Sequence, residues 1–158
     1  MQHKLVWVVL FAGLALAGCS TNSSPSTSTT TSTSSKASGV VGTAKWAASN
    51  GGTLSTLGSD IGSLTSALPA AVSSHNLSSV SSACQKLASD VTQAQSVPPI
   101  PKPTLQKTWF WLLVDLYKAA QNCNDGVAQN SASLLTQASS TLTSSGSTLT
   151  SLTASLGH

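Results

Sequence analysis

Thr104–Cys123 reads TLQKTWFWLLVDLYKAAQNC and is rich in large apolar and aromatic residues. Its apolar side chains recur at the three- and four-residue spacing of one helix face. The members of this stripe are Leu105, Trp109, Leu112, Leu116, Ala119 and Cys123. Phe110, Val114 and Tyr117 widen the stripe beyond a simple amphipathic face. We therefore predict a helix here, around which the other helices pack.

The residues before this segment predict a first helix that begins near Thr43. Its heptad-like apolar stripe consists of Ala47, Leu54, Leu57, Ile61, Leu64 and Leu68. Pro69 is expected to end the helix, because proline lacks the N–H that a helix interior needs. Gly51–Gly52 has two open interpretations. It is a break, with the helix proper starting near Thr53, or a notch in which a ring such as Trp109 lies against bare backbone.

A second helix has the most regular pattern of the chain, with a cap expected at Asn76 or Ser74. Its stripe consists of Leu77, Val80, Cys84, Leu87, Val91 and Ala94. The helix stops before Val97–Pro103, where repeated prolines favour an extended, stiff connector. An alternative reading of the prolines is a docking site for an aromatic-lined module.

The third helix is expected to open at Pro103 or Thr104 and to end at Asn124–Gly126, with Gly126 in the left-handed conformation. A fourth helix should follow almost at once. Its stripe consists of Ala128, Leu135, Ala138, Leu142, Leu149, Leu152 and Leu156. Four amphipathic segments without strand-like alternation predict an all-α fold, an antiparallel four-helix bundle over residues 43–158.

The charged residues are few and of only two kinds. The seven basic residues are all lysine and the four acidic residues are all aspartate. Arginine is the preferred residue for bidentate recognition of phosphate, and the lysines are not clustered. We therefore expect no nucleic-acid binding. With so few carboxylates we also expect no buried carboxylate network, and hence little loss of stability in acid.

The N-terminus has the pattern of an export signal. Lys4 is followed by an apolar run, Leu5–Leu16, that is too short to span a bilayer. The next residues complete the motif Leu16-Ala17-Gly18-Cys19, which resembles the lipobox of bacterial lipoproteins. The resemblance implies that residues 1–18 are a signal peptide and that Cys19 becomes the lipidated first residue of the mature protein. The implied location is the extracytoplasmic face of the cell membrane, held by acyl chains.

Residues 19–42 are mostly serine and threonine and predict a disordered, lipid-anchored linker. With Cys19 lipidated, Cys84 and Cys123 remain as an even pair in an oxidising compartment. Both lie on predicted core-facing stripes. We therefore predict a disulfide between them rather than a zinc site.

A second resemblance extends over residues 46–126. It rests on Trp46, Gly51-Gly52, Leu57, Asp60, Cys84, Leu87, the 98–101 Pro-Pro-Ile-Pro run, Trp109, Cys123 and Gly126. Together these residues look like small secreted helical proteins of actinobacteria, a group with no assigned activity. The resemblance implies the helical fold and the disulfide, but no reaction.

The sequence contains no pattern that points to catalysis, a cofactor or a metal centre. His75 and His158 have no second metal ligand at helical spacing. Asp115 and Lys118 are expected to form an ordinary i,i+3 pair on the polar edge of the third helix. Trp111 lies on the same edge, where it either covers the proline connector or is exposed for a partner.

We therefore expect a binding or envelope-interaction module rather than an enzyme. Its candidate contacts with a protein or hydrophobic ligand are Trp109, Phe110, Trp111 and Tyr117. An alternative is a carrier that holds a hydrophobic small molecule or lipid in the bundle core, where small inward residues leave room.

Overall fold

The computed structural model describes the backbone of residues 35–157 and the side chains of residues 42–157. The predicted signal peptide (1–18), the lipidation site Cys19 and the linker as far as residue 34 lie outside the described residues. The lipobox resemblance therefore concerns residues outside the described part, whereas the second resemblance, over residues 46–126, lies within it.

Four helices make up the described chain: α1 (Ser35–Ser73), α2 (Ser81–Ala94), α3 (Pro103–Ala128) and α4 (Ala132–Leu156). A short 3-10 turn, Leu77–Val80, leads into α2. α3 packs against α2 and α4, and α1 packs against the same two helices, so the four helices form a closed ring. The predicted all-α, antiparallel four-helix bundle is confirmed.

The core is formed by the apolar stripes that the sequence predicts. Its largest fully buried side chains are Leu57, Leu64, Leu68, Leu87, Leu112, Leu116, Leu135, Leu142, Leu152 and Leu156. Among the described side chains, every buried apolar residue lies between Trp46 and Leu156, and the described residues belong to one compact unit. This part of the chain therefore carries a hydrophobic core of its own, as a domain that can fold alone does.

α1 is longer at both ends than the sequence predicts. It begins at Ser35 rather than near Thr43, so the last part of the predicted linker, 35–42, is helical. It also continues through Pro69 to Ser73. Pro69 lies in the last turns of the helix, and the buried side chains of Leu68 and Ala71 hold that turn against the core. Their burial outweighs the roughly 3 kcal/mol that an interior proline costs.

Both interpretations of Gly51–Gly52 are wrong. α1 passes through the two glycines without a break, because Trp46 and Leu54 on either side are buried in the core. A Cβ atom on either glycine would meet no atom within 4 Å, so no ring lies against this backbone. Each glycine therefore destabilises the helix by roughly 1 kcal/mol relative to alanine, and no contact in the described structure requires a glycine there.

Two helices end in the same left-handed motif. His75 follows α1 with φ of 52°, and Asn130 follows α3 with φ of 51°. After α3, the N–H of Ser131 donates to the carbonyl of Gly126 at 2.8 Å, and the N–H of Asn130 donates to Val127 at 3.3 Å. This is the Schellman pattern. The chain places it around Asn130, beyond the predicted end at Asn124–Gly126.

Gly126 is therefore inside α3 and does not adopt the left-handed conformation. Its role is close approach. A Cβ atom at this position would lie 2.7 Å from Leu135 Cδ2 and 3.2 Å from the Leu135 backbone nitrogen. α4 begins at Ala132, with Ser131 as its cap. Ala128, which was predicted on the stripe of the fourth helix, is instead the last residue of α3 and is exposed.

The entrance to α2 also differs from the prediction. The Ser74 hydroxyl donates to the carbonyl of Ala70, and the Asn76 side chain accepts from the Ser78 hydroxyl. Neither residue caps the helix. The chain enters α2 through the 3-10 turn instead, because that geometry buries both Leu77 and Val80.

The predicted disulfide is confirmed. Cys84 of α2 and Cys123 of α3 are bonded, with their Cα atoms 5.6 Å apart and both side chains fully buried. The bond fixes the two helices on either side of the proline connector.

Candidate functional site

The four aromatic residues predicted as contacts divide into one buried and three exposed side chains. Trp109 is only 3% exposed, whereas Phe110 is 55% exposed, Trp111 53% and Tyr117 43%. The expectation that Phe110 and Tyr117 widen the core stripe is wrong. α3 already buries its Leu112–Leu116 stripe in the ring, and no described element covers the adjoining face.

The exposed residues share one side of α3. At about 100° of rotation per residue, they fall within about a third of the helix circumference, and two lysines fall between them. We call this surface the aromatic–lysine face and define it as Lys107, Phe110, Trp111, Val114, Tyr117 and Lys118. The rings of Phe110 and Trp111 meet edge to face, with centroids 5.4 Å apart. Val114 is half-buried and the other five side chains are exposed.

The lysines of this face have no acidic partner among the described side chains. Two ion pairs are found in residues 42–157, and both belong to Lys86. The predicted Asp115–Lys118 pair is not formed. Asp115 lies at the rim of the face, and Asp125 lies on the same side of α3 about two turns beyond Lys118. The positive charge is therefore confined to the part of the face from Lys107 to Lys118.

The buried pair of Trp46 and Trp109 holds the proline connector against the bundle. The Trp109 ring packs edge-on against Trp46, with centroids 5.9 Å apart. The indole N–H of Trp46 donates to the Pro98 carbonyl at 2.6 Å. The N–H of Ile100 donates to the Gln106 side chain at 2.6 Å, which fastens the connector to the first turns of α3.

A shallow groove of about 530 Å³ runs between the connector and α3. Its walls are Gln95, Val97, Pro99, Gln106, Trp109, Phe110, Leu113 and Val114. Phe110, rather than Trp111, thus faces the connector prolines, and the interpretation of Trp111 as the connector's cover is wrong. The groove is mainly apolar and opens beside the aromatic–lysine face.

A polar cluster joins α1 and α2 and consists of Asp60, Lys86 and Asp90. The Lys86 ammonium donates to Asp60 of α1 at 2.7 Å and to Asp90 of its own helix at 2.6 Å. Asp60 is buried, and its second carboxylate oxygen has no hydrogen-bond partner among the described residues. The expectation of no buried carboxylate network is therefore wrong.

The two aspartates of this network titrate in opposite directions. Burial removes water from Asp60, and this raises its pKa despite the nearby Lys86. The Lys86 hydrogen bond lowers the pKa of Asp90. Hydrogen bonds to the two carboxylates raise the pKa of Lys86. The i,i+4 spacing of Lys86 and Asp90 is visible in the sequence. The contact with Asp60, 26 residues away, is not.

His75 serves as the left-handed residue after α1 rather than as part of a polar site. Within the described part of the chain, no three His, Cys, Asp or Glu side chains come together as a metal site. None of the described helices is both long enough and apolar enough to cross a membrane.

Comparison with known proteins gives no match to a family model, a curated protein or a solved structure. The function is therefore inferred from the residues and their geometry.

Proposed function

We propose that this protein is a lipoprotein anchored on the extracytoplasmic face of the cell membrane, where its helical bundle acts as a binding or envelope-interaction module. The observation that carries the binding role is the exposure of Phe110, Trp111 and Tyr117 together on one side of α3. Clustered exposed aromatic side chains mark contact surfaces, because their burial against a partner releases a large apolar area.

The anchoring half of the proposal rests on the Leu16–Cys19 motif. The Cys84–Cys123 disulfide supports it, because stable disulfides belong to oxidising compartments outside the cytoplasm. A Cys19→Ala variant expressed in the native cell should be absent from membranes washed with high salt, and globomycin should cause the unprocessed precursor to accumulate. Retention of the Cys19→Ala variant after the salt wash, which removes binding through surface charges, would contradict lipid anchoring.

The binding half is tested in cells by photo-crosslinking. A photoreactive phenylalanine analogue placed at Trp111 should form adducts, and the same analogue at Thr143, on the outer part of α4, is the matched control. Adducts from position 111 alone are the expected result. Equal or absent crosslinking at the two positions contradicts a contact role for the face.

A carrier of a hydrophobic small molecule or lipid is the second candidate function, with the ligand in the surface groove beside Phe110 rather than in the bundle core. An apolar groove with two amide side chains, Gln95 and Gln106, suits a molecule with a long apolar part and a polar end. Native mass spectrometry of the purified chain should then show a bound mass that a Val97→Asp variant loses. A Lys45→Gln variant, changed at an exposed position outside the groove, should retain it.

A further inference from the structure

The residue types of the aromatic–lysine face identify a specific kind of partner. Phe110, Trp111 and Tyr117 supply exposed rings, and two of them carry a polar N–H or O–H group. Tryptophan and tyrosine are the residues that concentrate at the level of lipid headgroups, with the ring in the apolar region and the polar group in water. The rings lie along one side of a helix, which suits a flat surface.

The charges of the face complement an anionic surface. Lys107 and Lys118 lie between the rings, and neither forms an ion pair among the described side chains. Lysine is depleted at the centre of protein–protein interfaces, whereas tryptophan and tyrosine are enriched. Helices that lie on a membrane surface combine aromatic residues, which enter the interface, with lysines on the adjoining polar side, which attract anionic lipids. The long aliphatic stem of lysine lies along apolar surface while the ammonium reaches a headgroup.

We propose that the aromatic–lysine face of α3 docks on a membrane surface containing anionic lipids, with α3 parallel to the plane of the bilayer. This surface binding deepens the proposed function, on which it rests, by naming the partner of the binding module. The Phe110 and Trp111 rings enter the headgroup region, and Lys107 and Lys118 contact lipid phosphates. The adjacent groove then opens toward the lipid.

The test uses residues 32–158, which contain the complete core and lack Cys19, so no acyl chain contributes. Vesicles of phosphatidylcholine mixed with phosphatidylglycerol are compared with vesicles of phosphatidylcholine alone. Trp46 and Trp109 are buried and Trp111 is exposed, so Trp111 reports contact through its fluorescence. We expect a blue shift with the anionic vesicles, and quenching by lipids brominated on their acyl chains. A Trp111→Phe variant should bind but lose both signals.

Substitutions on the face measure its contribution. Lys107→Gln and Lys118→Gln should each weaken vesicle binding about fivefold, because each change removes the attraction of one lysine to the anionic headgroups. Phe110→Ser and Tyr117→Ser should each weaken vesicle binding by about the same factor, because only the exposed part of each ring, about half of its surface, is newly buried on docking. Lys45→Gln removes the same charge from an exposed site on α1 and should have little effect. All of these variants should keep the thermal midpoint of the parent.

Absence of a blue shift with anionic vesicles overturns the proposal, as does equal weakening by Lys45→Gln and Lys107→Gln. Crosslinking from position 111 to a protein and not to lipid also overturns it. Each of these results leaves the lipoprotein proposal standing. Anchoring is tested separately through Cys19 on the full chain, and a protein adduct at position 111 would still support the binding role.

Discussion

Gly126 and Gly51 both lie inside helices, yet a methyl group should have opposite effects at the two positions. At Gly126 the new Cβ would overlap Leu135, including its backbone nitrogen. We expect Gly126→Ala to destabilise the bundle by about 1–3 kcal/mol through overpacking. At Gly51 the new Cβ meets open space, so Gly51→Ala should stabilise it by about 1 kcal/mol through helix propensity.

Urea unfolding of the two variants provides the measurement, since both changes add the same atoms to a helical glycine. Similar midpoints for Gly126→Ala and the parent would show that α3 and α4 separate easily. A loss of stability in Gly51→Ala would show that α1 is strained near its glycine pair.

The aspartates around Lys86 should respond differently to removal of their charge. The raised pKa of Asp60 means that its stabilising contribution is present below about pH 4 and is lost as pH rises. The lowered pKa of Asp90 means that its contribution is present above that pH and is lost in acid. At pH 7 we therefore expect Asp90→Asn to lower the thermal midpoint by about 2–4 °C. Asp60→Asn should leave it unchanged or raise it.

Thermal melts of the two variants at pH 7 and pH 3 check this prediction, and the difference between them should shrink at pH 3. An equal loss in both variants at pH 7 would mean that the ion pair of Asp60 outweighs its burial. The opposed shifts also limit the net effect of acid on the bundle. The raised pKa of Lys86 adds a loss of stability only above about pH 10.4.

Individual contact residues were only partly predictable from the sequence. The helical stripe correctly identified Trp109 as a core residue, because its spacing matches Leu112 and Leu116. Phe110 and Tyr117 were misplaced, since periodicity gives the direction of a side chain but not the width of the face that neighbouring helices cover. The contact between Asp60 and Lys86 joins separate helices, and no local pattern encodes it.

The ends of α1 and α3 place side-chain-bearing residues in the left-handed region that favours glycine. Asparagine tolerates this conformation better than histidine does. We therefore expect His75→Gly to stabilise the bundle by about 1 kcal/mol and Asn130→Gly by less. Chemical unfolding should rank the three proteins in that order. A loss of stability in His75→Gly would show that the imidazole makes a stabilising contact that outweighs the strain.

At the level of helices, the sequence predicts the apolar stripes better than the boundaries. All six residues of the α2 stripe are buried as expected. The boundary errors at Pro69 and Gly126 share one cause. Local propensity marks both residues as helix terminators, but the core beyond them offers more burial than the local preference costs. Tertiary packing therefore sets where these helices end.

The disulfide should supply a large share of the net stability of the bundle. It closes a segment of 39 residues, for which the chain-entropy relation gives about 4 kcal/mol. The double variant Cys84→Ala/Cys123→Ala should lose about this amount in chemical unfolding. Reduction of the parent breaks the bond but keeps both sulfur atoms, so it should have a similar effect. The reduced parent is therefore the control for the side-chain volume that the double variant loses. Unchanged unfolding on reduction would contradict the prediction.

The same bond changes what a protease can accomplish at the connector. Pro98, Pro99 and Lys102 are exposed, and they lie inside the segment that Cys84 and Cys123 close. One cut there produces two fragments that remain a single covalent molecule. Each fragment then meets the other at a high effective concentration, so the nicked bundle stays assembled. In gel electrophoresis such a molecule migrates as one band without reductant and as two bands with it. Its aromatic–lysine face stays in place on the bundle after the connector before α3 has been cut.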